Sequence, residues 1–267
     1  MEAKSNEEKK LTEKGWKQAQ QTGKHFRRKG IRFSTIIHSD MIRARQTLAA
    51  IMWELNEEFR EYISKRYNIP SSSDLPVKQL TDFLESYSEK SVASDLPNQI
   101  ARHLSPYCAL STSPFQQSGM AAIAFQSSLL NEGPPLSAPQ PPIRNKRPTS
   151  KEEIPKHGLR IEAGFRLFVN PLPLIQWVPD RYYNQTMLPI LDEQGRENVL
   201  VVGHANVSRY WICRALQIPS DAWLRISLYH GSVSQLSIVS DSDCANSIVS
   251  VNHIGDASFL DPSLLSR

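Results

Sequence analysis

The sequence predicts an α/β protein with a mostly parallel sheet. Three observations carry that prediction. Helix, strand and helix patterns follow one another through residues 11–55, a continuous apolar run stands at Val199-Leu200-Val201-Val202, and a further helical pattern opens just after that run. Strands that alternate with amphipathic helices bury one face of each helix on the sheet, so this order reads as α/β.

Each element has a local reason. Trp16, Ala19, Gly23 and Phe26 recur at helical spacing between Leu11 and Lys29, with Gly30 as a stop. The β-branched run Ser34-Thr35-Ile36-Ile37-His38 predicts a strand, and Ser39-Asp40 offers a cap for a helix from Met41 to about Leu55. Residues 57–128 show no clean period apart from a local helix near 76–90, and serine clusters recur at 71–73, 86–94 and 111–113. The proline-rich stretch over 133–150 reads as an extended loop. Connections this long signal an insert or disorder rather than a compact core, so 57–128 reads as a partly disordered insertion between 1–56 and 129–267.

Order returns with the capping-box pattern Ser150-Lys151-Glu152-Glu153 and a helix to about Val169, delayed by Pro155. A proline-rich break at 170–179 precedes a helix from Asp180 to about Leu191. Val199–Val202, bounded by turn residues, reads as a strand buried on both faces. The helix beyond Gly203-His204-Ala205-Asn206 carries Val207, Trp211, Ala215 and Ile218 on one stripe, and two strands near 232–239 and 247–254 follow.

Composition narrows the class. The chain has 267 residues, 40% hydrophobic and 22% charged, as in ordinary globular proteins. It holds no run of 18 apolar residues, and its polar beginning MEAKSNEEKK lacks the apolar stretch of a secretory signal. The three cysteines, Cys108, Cys213 and Cys244, have no metal-ligand spacing and read as free thiols. Residues 1–50 carry 12 Lys/Arg against 5 Asp/Glu, whereas the whole chain is only +4. Such an excess can meet nucleic acid or anionic lipid, but no nucleic-acid-binding motif accompanies it and a solvated helix face explains it. No nucleic-acid partner is expected.

Two strand-to-helix junctions carry the chemistry, because ligands of open α/β sheets gather where strands end. The first, His38-Ser39-Asp40-Met41-Ile42-Arg43, places Arg43 in the first turn of a helix, where free backbone N–H groups already favour an anion. The second, Val202-Gly203-His204-Ala205, places His204 just beyond a strand, with Gly203 allowing close backbone approach. A guanidinium fork and an imidazole converging there suit a phosphate. Taken singly, Arg43 also reads as a surface helix arginine and His204 as a structural histidine.

The blocks Leu11-Thr12-Glu13-Lys14-Gly15, Ile37-His38-Ser39, Arg43-Ala44, Leu129-Leu130-Asn131-Glu132-Gly133, Arg160-Ile161-Glu162-Ala163, His204-Ala205-Asn206-Val207 and Trp223-Leu224-Arg225 together resemble the histidine phosphatase superfamily. The resemblance covers roughly 11–56 and 129–267, and within the superfamily it points to the protein serine/threonine phosphatase branch. It implies a phosphoglycerate-mutase-like three-layer sandwich around a mostly parallel sheet. It also implies hydrolysis through a phosphohistidine, with no metal and no cofactor. Carried over, Arg43 matches a phosphate-binding arginine, and His204 a second histidine that also contacts the phosphate. Glu132 matches the acid/base glutamate, although Asn131 stands where an arginine is expected and a loop glutamate also reads as a surface residue. Phosphoserine- and phosphothreonine-bearing proteins are the implied partners, with a homo-oligomer and a mitochondrial outer-membrane location.

One departure bears on activity. The family's nucleophile lies in an Arg-His-Gly triplet ending the first strand, and this sequence contains no such triplet. His25, His38 and His103 all stand in the wrong context to replace it. The expectation is therefore an N-terminally shortened chain, lacking its central first strand and any membrane anchor, marginally stable and catalytically impaired. A dead phosphatase that binds phosphorylated partners through Arg43 and His204 is the alternative of another class. A mutase of small phosphorylated sugars fits the Ala205-Asn206-Val207 block less well.

Overall fold

Thr12 opens the first helix by accepting the Gly15 N–H on its side-chain oxygen, at 3.1 Å. Helix α1, Glu13–Arg28, then has an acid in its first turn and basic residues in its last, which complements the helix dipole. The structure is a computed structural model and describes residues 9–72, 74–86, 110–113, 115, 123–136, 153–169, 195–240 and 247–267. The expected loop beyond residue 136, most of the capping box, the break at 170–179, the helix at 180–191 and His103 lie outside the described residues. The described chain divides into two compact units.

The first unit comprises residues 1–128, 179–202 and 258–265. Trp16, Ala19, Gly23 and Phe26 are buried on α1, as their spacing predicts. Gly23 is required by a close crossing with α2, Ile42–Leu55: a Cβ there would lie 2.6 Å from the Ile51 carbonyl oxygen. Gly30 ends the turn after α1 with a φ of 65, the left-handed region glycine adopts without strain. The cap of α2 differs by one residue from the sequence expectation. Met41 is the N-cap, without a side-chain bond to the helix, while Ser39 Oγ accepts the Met41 N–H at 3.2 Å.

Strand β1, Thr35–His38, is buried at every position. Helices α3, Glu57–Tyr67, and α4, Val77–Glu85, follow α2. Asn56 caps α3 by accepting the Phe59 N–H at 2.6 Å. Strands β2, Leu110–Thr112, and β3, Ile123–Ser127, come next, and β4 is Val199–Val202. The sheet order is β2-β3-β1-β4. Both β3 and β4 run parallel to β1, with Thr35 opposite Ile123 on one side and Val199 on the other, while β2 is antiparallel to β3. Among the described residues, the segment read as an insertion thus supplies two helices and, to this sheet, two strands.

Strand β4 corrects one expectation. It occurs at Val199–Val202 as predicted, but Val201 is 40% exposed while Leu200 and Val202 are buried. It lies at one end of the described four-strand order, whereas β1 has a strand on each side and is the one buried on both faces. An aromatic cluster packs beside β1: Phe59, Phe83 and Phe115 have ring centroids 5.4 to 5.9 Å apart, with the His38 ring edge-on to Phe115.

The second unit comprises residues 129–178, 203–257 and 266–267. Helix α5 is Glu153–Phe168, so Pro155 falls in its first turn, where the missing N–H has no intrahelical partner to lose. Helix α6 is Ala205–Ala215 and buries Val207, Trp211 and Ala215. Ile218 leaves the predicted stripe: the helix has ended, Gln217 turns with a φ of 56, and Ile218 is 40% exposed. The Trp211 indole donates to the Ile161 carbonyl at 3.0 Å, and Gly164 leaves room for that ring. Strands β5, Val233–Ser240, and β6, Ser247–Asp256, pair antiparallel as a separate two-stranded sheet.

Candidate functional site

Glu132 and His204 come together in the second unit. His204 occupies the N-cap of α6 in extended backbone geometry, its side chain makes no cap bond, and that side chain is 6% exposed. Its Nδ1 lies 3.9 Å from Glu132 Oε2, a contact that is an ion pair only when the imidazole is protonated. The first backbone N–H groups of α6 add positive partial charge at the same helix end. Gly203, before it, faces Leu130 without a close approach, so a Cβ there would meet only ordinary van der Waals contact.

The loop carrying Glu132 is held from α5. Arg160 Nη1 donates to the Leu129 carbonyl at 3.0 Å, and its Nη2 reaches the Glu132 carbonyl at 3.5 Å. The same Nη2 lies 3.0 Å from His157 Nδ1; since arginine only donates, that nitrogen accepts and the His157 proton sits on Nε2. Gly133 lies against this ring, because a Cβ on it would come within 2.5 Å of His157. A larger residue there displaces either the ring or the loop.

Arg209 stands five residues beyond His204, on the same helix. Its Nε donates to the Ile226 carbonyl at 2.9 Å and its Nη1 to Asn206 Oδ1 at 3.1 Å. Burial lowers its affinity for the proton, and the negative charge of Glu132 opposes that fall. The guanidinium is thus held in place and electrostatically coupled to Glu132. Sequence reading passed over Arg209, although its spacing of three from Asn206 is the signal of a helical pair.

Beside this group, Glu162 anchors α5 to α6. It accepts from Tyr210 Oη at 2.8 Å, from Arg214 at 3.0 and 3.1 Å, and from Arg166 at 2.8 Å. Burial pushes the Glu162 carboxyl up, but hydrogen bonds from Arg166, Arg214 and Tyr210 outweigh it and hold the group below its ordinary range. Burial, then the bond to Glu162, pushes the Tyr210 phenol up to about 12. Cys213 is a buried free thiol, raised by desolvation, whereas Cys108 and Cys244 lie outside the described residues.

Arg43 belongs to the first unit, in the first turn of α2, half-buried. Its surroundings are set by His38 at the end of β1. The His38 ring is fully buried, with Nδ1 2.8 Å from the Ser39 carbonyl and Nε2 2.7 Å from Ser113 Oγ. The carbonyl can only accept, so Nδ1 carries the proton and Nε2 accepts from the serine hydroxyl. Desolvation lowers the His38 pKa to about 4, the Ser39 carbonyl opposes that shift and the Arg45 charge adds to it. The ring is a neutral strut under the junction that presents Arg43.

Among the described residues no group of His, Cys, Asp and Glu is placed to hold a metal ion. No described helix is long and apolar enough to cross a membrane.

The family described as "Histidine phosphatase superfamily (branch 1)" matches residues 3–66 and 181–252. The chain is 30% identical over 257 residues to "Serine/threonine-protein phosphatase Pgam5, mitochondrial" of Drosophila yakuba, and 29% identical to the protein of that name from Drosophila melanogaster. Each match covers 96% of this chain, which spans 59% of the length of these curated relatives. Among solved structures, phosphoglycerate mutase from Plasmodium falciparum is similar over 91% of this chain and 84% of its own, at 22% identity and a TM-score of 0.38. With the family match spanning half of its residues, the chain belongs to the histidine phosphatase superfamily, branch 1.

Proposed function

We propose that this chain is the phosphate-binding and acid/base part of a protein serine/threonine phosphatase of the histidine phosphatase type. The observation that carries the reading is the sheltered pair of His204 and Glu132, 3.9 Å apart at the start of α6. His204 donates to the phosphoryl oxygens, where charge accumulates in transfer. Glu132 protonates the departing serine or threonine oxygen, and its carboxylate then activates water. Arg160 holds the Glu132 loop through its backbone carbonyls, Arg209 acts on the carboxylate through its charge, and Arg43, in the other unit, offers a guanidinium fork that suits a phosphate. The relatives' names support phosphoproteins as substrates and mitochondria as the location. A homo-oligomer and an outer-membrane site complete the reading.

The attacking histidine of this chemistry belongs to an Arg-His-Gly triplet, which the sequence does not contain. The chain by itself is therefore impaired: it binds phosphoryl groups and turns them over poorly or not at all. The same observation favours the second reading, a phosphatase-like protein that binds phosphorylated partners. A phosphoserine peptide and the purified chain test both. The expected result is saturable peptide binding, weakened at least tenfold by Arg43→Ala or His204→Ala, with no acid-labile phosphohistidine. Steady phosphate release abolished by His204→Ala overturns the impairment, and binding indifferent to both variants overturns the site.

A further inference from the structure

Apart from Arg43, the basic excess of residues 1–50 takes no part in the reading above, yet the structure gathers some of it at one place. A cavity of about 230 Å³ in the first unit is lined by Gln21, Lys24, Arg27 and Arg28 of α1 and by Phe259. The three cations stand at helical spacing on one face of α1. Two of them are pre-positioned by a buried carboxylate. Glu54, its side chain 8% exposed, lies 3.3 Å from Arg27 Nη1 and 3.8 Å from Lys24 Nζ, and also accepts from Gln20 at 2.7 Å. Arg27 Nη1 further donates to the Glu54 carbonyl at 3.2 Å. One carboxylate thus faces two of the three cations, and among the described residues no carboxylate lies within ion-pair distance of Arg28.

The opposite wall is apolar and fixed. The Phe259 ring stacks on His25 with centroids 4.1 Å apart and an interplanar angle of 26°. Gln21 Oε1 accepts the Asp261 N–H at 2.7 Å, tying the Phe259 segment to α1. Asp261, the acid of that segment, is turned onto Ser263, whose N–H and hydroxyl donate to Oδ1 at 2.8 and 2.6 Å. The cavity is therefore cationic on one side and aromatic on the other, with both local carboxylates already engaged.

Basic residues in the last turn of a helix also complement its carbonyl end. That accounts for the charges but not for the aromatic wall beside them or for the carboxylate that fixes two of their charged ends. The carbonyl end matters for the choice of ligand as well. It disfavours a compact phosphate dianion seated against the backbone, and favours carboxylates meeting the outer ends of long side chains.

We propose that this cavity is a docking site for an acidic peptide segment, carboxylates set beside an apolar side chain, on the phosphoprotein the enzyme acts on. Acidic side chains bind Lys24, Arg27 and Arg28, and the apolar residue lies on Phe259. The assignment of the peptide to a substrate rests on the phosphatase reading; the binding itself does not. The exposed cations make the contact salt-dependent and steer encounter more than they hold the complex.

Fluorescence anisotropy with the intact chain and a fluorescein-labelled Glu-Glu-Phe-Glu-Glu peptide tests this without any phosphatase readout. The expected result is binding that weakens with salt, falls at least ~5-fold in Arg28→Glu, and is unchanged by Lys65→Gln on α3. A Gln-Gln-Phe-Gln-Gln peptide is expected not to bind, and Phe259→Ala to weaken binding without altering its salt dependence. Equal loss in Arg28→Glu and Lys65→Gln overturns the site. So does stronger binding, through Arg28, of a single-stranded RNA or of phosphatidylserine vesicles than of the peptide. Arg28 is exposed, so its variant folds even if Phe259→Ala does not. Absence of acidic-peptide binding by the unaltered chain, with phosphopeptide binding intact at Arg43 and His204, refutes this proposal alone, and the reverse refutes the phosphatase reading alone.

Discussion

Lowering the pH from 7.5 to 5 is expected to destabilise the first unit through a single imidazole, His38. The folded pKa is about 4 against an ordinary value of 6.5, because the ring is buried and faces the Arg45 charge. The unfolded chain binds the proton first as pH falls, so the stability His38 contributes is complete above pH 6.5 and is lost towards pH 4. The whole shift corresponds to about 3 kcal/mol at 1.36 kcal/mol per unit. Linkage places about 2 kcal/mol of that loss already between pH 7.5 and 5. The window is clean with respect to Glu162, whose lowered carboxyl titrates below it. Urea unfolding at pH 7.5, 6.5, 5.5 and 5 measures the loss, and His38→Asn, whose amide can still donate to the Ser39 carbonyl, is expected to flatten it. Should that variant not fold, the His38 ring signals in the nuclear magnetic resonance spectrum carry the test and should stay those of a neutral imidazole down to pH 5. A ring that titrates near 6.5 in the folded protein, or stability independent of pH in this window, refutes the burial argument.

Two further outcomes follow from packing and hydrogen bonding. Gly23→Ala puts a methyl 2.6 Å from the Ile51 carbonyl at the α1–α2 crossing, and overpacking of this kind is expected to cost about 1–3 kcal/mol in thermal or urea unfolding. Arg160→Ala removes one donor from each of the Leu129 and Glu132 carbonyls, with an expected loss of about 1–3 kcal/mol and faster hydrogen exchange over 129–136 than in Arg160→Lys.

What the sequence disclosed follows from how each element is buried. The first helix shows a regular stripe because Trp16, Ala19, Gly23 and Phe26 are all buried, Gly23 against α2, and β4 stands out because four apolar residues fall together. Helix α3 escaped notice because its core contacts come from Phe59 and Ile63 amid charged residues, too narrow a stripe to show a period. Strand β3 escaped for another reason: Gln126 and Ser127 are buried there, so the apolar signal of a core strand is missing. At the candidate site, His204 and Glu132 were legible as motif residues. The residues that hold Glu132, namely Arg160 and Arg209, act through backbone carbonyls and through charge, neither of which spacing alone displays.

The place of β1 has a kinetic consequence. This strand, buried on both faces, completes its hydrogen bonding only when Thr35 meets Ile123 and then Val199, partners far along the chain. Pairings of such sequence separation close late, because loop entropy must be lost before the contacts form. The α1–α2 pair, by contrast, joins neighbours and can assemble while the rest is still being synthesised. Until residue 199 leaves the ribosome, β1 offers an open apolar edge to other chains. Slow, concentration-sensitive refolding that spares the α1–α2 hairpin is the expected signature of this arrangement.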